Sequence, residues 1–202
     1  MSSAFSRPRF YGASPRTWIL VLVAIVVVAA LGIIAVTWGP LNKHPASPTL
    51  SESRLLSAGI AAQQAGRTAE AADDYRKILH MNPNNPWAYY NLGLIDQQAG
   101  RTDSAERNYR AALKISPDFP SALFNLAIIR TGPAPKEAED LYRRTIAVQP
   151  NNAGAHLNLG FLLIQEGNKA EGQAELQRAV KLDASLASRV PPSPTPSPSR
   201  KP

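Results

Sequence analysis

The sequence predicts an all-α protein in which about four helix-turn-helix repeats stack into an α-solenoid, preceded by one transmembrane helix. Three observations lead to this prediction. The motif QQAGRT occurs twice, at an interval of 34 residues. Alanines, tyrosines and prolines recur at nearly the same interval through most of the chain. An uncharged apolar stretch near the N-terminus is long enough to cross a bilayer.

Residues 18–38 are predicted to form a transmembrane signal-anchor helix. The run 19–36 contains no charge, and Trp18 and Trp38 mark its two ends, as tryptophans do at membrane interfaces. A cleaved signal peptide is the alternative. Its apolar region is normally shorter and ends in small residues, whereas this run closes on AVTWGP.

The charges beside this helix predict its orientation. Segment 1–17 carries three arginines, against one lysine close behind the helix. The positive-inside rule therefore places the N-terminus in the cytoplasm and the remainder of the chain outside. Because no N-x-[ST] sequon occurs, we favour a bacterial inner membrane with a periplasmic repeat domain. Residues 39–51 contain three prolines and are predicted to form a flexible linker.

A repeat with a period of 34 or 33 residues follows the linker. Its pattern resembles L-G-x-x-Y…A-x-x-x-F/Y…P, which is typical of the tetratricopeptide repeat. The recurring residues are Ala71, Ala105 and Ala138, then Tyr75, Tyr109 and Tyr142, then Pro83, Pro117 and Pro150, with YYNLG at 89–93, LFNLA at 123–127, HLNLG at 156–160 and the degenerate LLSAG at 55–59.

This resemblance implies a right-handed solenoid made of four helical hairpins, at 52–85, 86–119, 120–152 and 153–185. One hairpin cannot bury its apolar face alone, so neighbouring hairpins are expected to stack. Stacking would create an extended concave surface.

Helix starts and the end of the solenoid are predicted from local signals. Thr68 and Thr102 are candidate N-caps of second helices, and Pro86 and Pro120 suit the first position of first helices. Family members usually end in a capping helix. Only LASRV precedes the prolines here, so we expect that end to fray or to meet a partner. The tail 186–202 is predicted to be disordered, with six prolines in its last twelve residues.

Composition excludes several classes of function. The chain has no cysteine, so disulfides, thiolate metal sites and cysteine nucleophiles are ruled out. His44, His80 and His156 are scattered in the sequence and form neither HxH nor HExxH, so no metal site is predicted. No Gly-rich phosphate loop and no GxSxG motif occurs. We therefore expect neither a cofactor nor an enzymatic activity.

The net charge of +7 belongs to the ends of the chain. Residues 52–184 contain 15 of the 22 Lys and Arg residues and all 15 Asp and Glu residues, which leaves them neutral overall. Proteins that bind nucleic acid normally concentrate basic residues on the folded domain. No nucleic-acid partner is therefore expected.

In tetratricopeptide solenoids the first helix of each hairpin lines the concave groove, and the resemblance carries this role to the matching positions here. The alternative is that these residues pack between repeats. The recurring asparagines offer a donor and an acceptor to a peptide bond, and a structural role explains them equally well. The candidate groove residues are Leu56, Ile60, Trp87, Tyr90, Asn91, Leu94, Phe124, Asn125, Ile128, Leu157, Asn158 and Phe161.

One known activity of the family is not expected. Its carboxylate-clamp members hold the C-terminal tails of chaperones with Lys and Arg in these first helices. Four of the matching positions here hold other residues, namely Leu56, Ile60, Ser121 and Asn125. Only Asn91 fits the clamp pattern.

These observations predict a membrane-tethered interaction scaffold, not an enzyme, that binds a protein or peptide partner in an apolar groove. The layout also resembles periplasmic subunits that hold apocytochrome during cytochrome c maturation, and subunits of secretion complexes, by architecture alone. A self-assembling structural envelope protein, joined into a homo-oligomer through its fourth repeat, is a further alternative.

Overall fold

The computed structural model describes residues 49–191, and within them the predicted all-α fold is confirmed. The predicted membrane helix, most of the linker and the last part of the tail lie outside these residues. None of the helices in the described segment is both long and apolar enough to span a bilayer. The helices are α1 (Leu50–Gln64), α2 (Thr68–Met81), α3 (Pro86–Gln98), α4 (Thr102–Ile115), α5 (Pro120–Arg130), α6 (Pro135–Val148), α7 (Ala153–Gln165) and α8 (Lys169–Leu182), followed by a 3-10 helix (Ala184–Arg189).

These helices form four hairpins that stack in chain order. Each predicted repeat contains one hairpin, and the extensive contacts in the described segment join helices that follow one another. Pro86 and Pro120 occupy helix starts, as predicted, where the missing N–H of proline has no cost. A solenoid of this kind needs every hairpin to cover the apolar face of its neighbour.

The first helix begins inside the predicted linker 39–51. A capping box explains the earlier start: the Thr49 hydroxyl oxygen accepts the Glu52 N–H at 3.2 Å, and the Thr49 hydroxyl faces the Glu52 carboxylate. That carboxylate also accepts hydrogen bonds from the Asn82 and Asn85 amides, at 3.0 and 3.1 Å. These bonds lower the pKa of Glu52, the Asn82 bond most strongly, and they attach the first hairpin to the second.

The QQAGRT motif ends a first helix and makes the turn to the second. Gly66 and Gly100 have φ angles of 75° and 71°, in the left-handed region that favours glycine. The next N–H bonds to the carbonyl five residues back, as in a Schellman motif. Thr68 and Thr102 are the first residues of the second helices, so their predicted role as N-caps is wrong. The second helix begins directly after the turn.

A small residue packed against a tyrosine ring forms the centre of the first two hairpins. A Cβ atom on Gly59 would lie 2.6 Å from Cε1 of Tyr75, and one on Gly93 would lie 2.6 Å from Cε1 of Tyr109. Both tyrosines are fully buried. Glycine is therefore required for the ring to lie directly on the backbone of the first helix.

The fourth hairpin has a different centre. Gly172 and Leu176 stand at the positions of the alanine and tyrosine in the other repeats. A Cβ atom on Gly172 would lie 2.7 Å from the carbonyl oxygen of Gly160 and 3.0 Å from the amide nitrogen of Ile164. The backbones of α7 and α8 therefore approach each other more closely than an alanine would allow.

A buried histidine and a buried glutamate also link α7 and α8. The Nδ1 atom of His156 lies 2.5 Å from a carboxylate oxygen of Glu175, and its Nε2 atom lies 2.9 Å from the carbonyl oxygen of Pro150. Arg178 binds the second oxygen of that carboxylate at 2.6 Å. Both ring nitrogens therefore have polar partners, and His156 has a structural role.

The 3-10 helix covers the end of the last repeat. Leu186 and Val190 pack on Leu157 and Leu176. The expectation that this end frays is therefore wrong, and so is the start of the predicted disordered tail 186–202. Two apolar side chains at the right spacing are enough to hold this short segment on α7 and α8.

The close approach of α7 and α8 yields a test of the packing. We expect Gly172→Ala to destabilise the protein by about 1–3 kcal/mol, because the new methyl group meets backbone atoms that have no room to move. The measurement is urea unfolding followed by circular dichroism. Gly132→Ala is the control: no atom lies within 4 Å of its added Cβ, so stability should change by less than about 1 kcal/mol. Equal stability of the two variants would contradict this packing.

Candidate functional site

Two rows of side chains run along the first helices, α1, α3, α5 and α7. Each row takes the same position in every repeat, and the two positions are four residues apart. We call them the packing row, with Leu56, Tyr90, Phe124 and Leu157, and the accessible row, with Ile60, Leu94, Ile128 and Phe161.

The packing row lies against the core, including the second helix of its own hairpin. The ring of Tyr90 is 5.9 Å from that of Tyr109, and the ring of Phe124 is 6.1 Å from that of Tyr142. Leu157 is only 1% exposed, since the 3-10 helix covers it. The assignment of Leu157 to an open groove is therefore wrong. The other three members are half-buried and present only part of their surface.

The accessible row presents large apolar side chains to solvent. Ile60, Ile128 and Phe161 are 40%, 39% and 36% exposed, and Leu94 is half-buried. Single exposed apolar residues are common on protein surfaces, but here they recur at one position in successive hairpins. They therefore form a continuous apolar strip, which is typical of an interaction surface.

Trp87 adds the largest exposed side chain to this face. It is 50% exposed, and its ring lies edge-on against Phe119, with centroids 4.5 Å apart. The Tyr90 ring lies 6.5 Å from Trp87 and 5.1 Å from Phe119, so the three rings form one cluster. A tryptophan supported in this way offers a preformed contact to a ligand at a small entropic cost.

Phe119 is a residue of the candidate site that the sequence reasoning missed. It stands at the N-cap of α5 and makes no side-chain cap bond. Asn85 and Asn152 take the matching positions before α3 and α7, and each caps its helix through its side chain. The signal in the sequence was an aromatic residue where the second and fourth repeats have a capping asparagine.

The recurring asparagines bind other groups of the protein. Asn91 is only 7% exposed and donates to a backbone carbonyl of its own helix at 2.8 Å, so its assignment to an open groove is wrong. The Asn125 amide donates to the Tyr90 hydroxyl at 3.5 Å, and Asn158 lines the same cleft as Tyr142. Both are half-buried, and they keep their place at the edge of the candidate site.

A cleft opens between α5 and α7 on this face. It has a volume of about 250 Å³ and brings together three of the predicted groove residues from two hairpins. Mostly apolar walls with a few polar groups suit an apolar side chain and the peptide bond beside it. The lining residues are Ile128, Thr131, Tyr142, Asn158, Phe161, Leu162 and Gln165.

Buried tyrosine hydroxyls of the second helices hydrogen-bond side chains near the ends of the first helices. Tyr75 donates to the Gln63 side chain at 3.2 Å, and Tyr109 donates to the Gln97 side chain at 2.6 Å. Burial raises the pKa of both hydroxyls and that of Tyr142. The first glutamine of each QQAGRT motif therefore serves as the acceptor for a core tyrosine.

The described residues contain no cluster of three or more acidic or histidine side chains that would hold a metal ion. The arrangement of the site, an apolar strip on stacked hairpins with polar groups at its edge, is that of a helical repeat protein with a binding face. The chain belongs to the tetratricopeptide repeat family. One model of that family matches residues 62–107 and 134–189, about half of the chain, and a second matches 90–130. No match was found among curated proteins.

Solved structures show the same fold. MamA from Desulfovibrio magneticus RS-1 aligns with a TM-score of 0.56 and 19% identity, over 67% of this chain and 77% of that one. The thermophilic protein TTC0263 from Thermus thermophilus aligns with a TM-score of 0.54 and 21% identity, over 66% and 75%. The first repeat domain of Spaghetti (RPAP3), bound to the HSP90 peptide SRMEEVD, gives 0.54 and 21%, over 59% and 96%. At these identities the likeness shows the fold.

The buried tyrosines predict loss of stability at alkaline pH. Burial raises the folded-state pKa of Tyr109 above the value of about 10 in the unfolded chain. The neutral hydroxyl therefore contributes stability that is complete below about pH 10 and is lost as pH rises through the folded pKa.

Urea unfolding of the full chain in a mild detergent, from about pH 8 to 11, measures this loss. Tyr109→Phe should cost about 1 kcal/mol at neutral pH, because Gln97 loses its donor, and should make the alkaline loss shallower. Tyr89→Phe, at a half-buried position on α3, is the matched control. An identical alkaline slope in Tyr109→Phe and wild type would refute the assignment.

Proposed function

We propose that this protein is a membrane-tethered interaction scaffold whose first-helix face binds an extended apolar segment of a partner protein. Proteins of this fold act in general by binding other proteins or peptides, and the proposal assigns that role to one face. The observation that carries it is the accessible row, with Trp87 beside it: four of these side chains, Ile60, Trp87, Ile128 and Phe161, are between 36% and 50% exposed.

The spacing of the accessible row indicates the conformation of the ligand. Packed helices lie about 8–10 Å apart, and we propose a similar spacing for successive members of the row. A polyproline II helix has three residues per turn and rises about 3.1 Å per residue, so its residues at i, i+3 and i+6 share one side at about 9 Å spacing. We therefore expect apolar residues at every third position of the partner segment.

The tether is proposed from residues 18–38, which lie outside the described segment. Anchoring would hold the captured partner at the membrane and raise its local concentration for any neighbour on the same surface. The three arginines before the helix favour an N-terminus inside a bacterial inner membrane and a periplasmic binding face.

We do not propose self-assembly through the fourth repeat. It depended on an uncovered fourth repeat, and Leu186 and Val190 cover that end. We therefore propose a different polypeptide as the ligand of the accessible row.

In-cell photocrosslinking tests the binding face. A photoreactive phenylalanine analogue placed at Ile128 or Phe161 should give one dominant adduct, because both side chains are exposed in one cleft. Mass spectrometry would identify the adduct. Ala147, exposed on α6, is the control position and should not give it.

The same experiment separates the alternatives. Adducts to a second copy, or to the chain's own tail, would replace the proposed partner by self-contact. The same mixture of adducts from Ile128, Phe161 and Ala147 would show that the accessible row has no specific ligand.

A fractionation experiment tests the tether. The full chain should sediment with membranes and resist extraction by high salt and alkaline carbonate, because a spanning helix is held by about 20 apolar residues. Deletion of 18–38 should release it. In spheroplasts, added protease should digest the repeat domain. A full chain that remains soluble, or a repeat domain protected from protease, would contradict the anchor or its orientation.

A further inference from the structure

A ring of four charged side chains closes the crevice between the second and third hairpins. Arg110 lies 2.9 Å from Glu106 on its own helix and 2.8 Å from Glu137 on the next second helix. Arg130 completes the ring, at 3.2 Å from Glu106 and 2.7 Å from Glu137. Two carboxylates therefore fill the space beside each arginine.

The crevice between the third and fourth hairpins is closed in the same way. Arg143 takes the position of Arg110 one repeat later. It lies 2.9 Å from Glu139 on its own helix and 2.8 Å from Glu171 on the next second helix. One position in α4 and in α6 thus supplies an arginine that takes one carboxylate from each of two hairpins.

The crevice between the first and second hairpins has the arginine without these carboxylates. Arg76 matches Arg110 and Arg143, but Ala72 and Ser104 stand where the two glutamates would be. Arg76 pairs instead with Asp73 of its own helix, at 2.6 Å. Its side chain is 65% exposed, against 47% for the Arg110 side chain.

An open cleft of about 590 Å³ lies at this place. Its polar groups give it a net positive charge, because three arginines face two aspartates. Asp96 already binds Arg101 and Asn108, each at 2.8 Å, so it is satisfied within the protein. The cleft has a floor of Ala72, Leu92 and Ile95 and a rim that carries Arg76, Arg101 and Arg107.

We propose that this cleft binds a carboxylate side chain of an acidic segment in a partner protein, where the other crevices hold the protein's own glutamates. The planar guanidinium of Arg76 would bind the carboxylate, as Arg110 and Arg143 bind theirs. The apolar floor would cover the aliphatic part of the ligand. Residues 190–202 contain no Asp or Glu, so they cannot supply this carboxylate side chain.

This site is separate from the accessible row. Its lining residues come from α2, α3, α4 and the turn before α4, and they include none of the candidate groove residues. A partner that carries both an apolar segment and an acidic segment would contact two faces of the same solenoid. The proposal does not depend on the function of the first-helix face.

A capped, fluorescein-labelled peptide with two glutamates around a leucine tests the proposal, with the matching glutamine peptide as control. Fluorescence anisotropy on the full chain in detergent measures the Kd. We expect the glutamate peptide to bind and the glutamine peptide not to bind. Arg76→Gln should weaken binding about tenfold, since it removes a charged hydrogen-bond pair. Asp73→Asn should strengthen it, because Arg76 is then released from its own carboxylate.

The sharpest variant closes the cleft. The double substitution Ala72→Glu and Ser104→Glu restores both carboxylates and should abolish peptide binding while the protein melts no earlier than wild type. Ala147→Glu, at an exposed position on α6 outside both sites, should bind the peptide as wild type does. Equal binding of the two peptides, retained binding by the folded double variant, or no binding by wild type up to about 1 mM would each overturn the proposal.

Discussion

The structure depends on how closely the two helices of each hairpin approach. Gly59 and Gly93 allow a tyrosine ring to lie on the backbone of the first helix, and Gly160 allows a direct approach of backbones. This contact fixes the rotation of the first helix. The next residue is turned by about 100°, and it is the member of the accessible row in every hairpin. The binding face is therefore a geometric result of the core.

The interfaces between hairpins are not equivalent, although the repeats look alike. Salt bridges between second helices join the last three hairpins, from Arg110 to Glu137 and from Arg143 to Glu171. The first hairpin is held instead by Glu52 and the asparagines of the following turn. The Glu52 carboxylate near the start of α1 thus joins the first two hairpins, whereas ion pairs join the others. This difference leaves room for the cleft beside Arg76 at the first interface.

The period of the sequence was enough to predict the hairpins, their number and most helix starts. It was not enough to choose between the packing and accessible rows, because both are apolar and lie four residues apart on one side of a helix. Burial of Leu157 depends on a short 3-10 helix whose apolar pattern covers only two residues. Phe119 and the cleft beside Arg76 depend on contacts between repeats, which a single unit does not reveal.

The covered end of the solenoid determines where a further repeat can be added to the chain. Leu186 and Val190 take the surface on which a fifth hairpin would stack, so a unit added after α8 would have to displace them. A hairpin inserted between existing repeats would stack on one hairpin on each side, as the inner hairpins do, because each hairpin contacts only the next one. We therefore expect the fold to accept an added repeat more readily within the array than after α8.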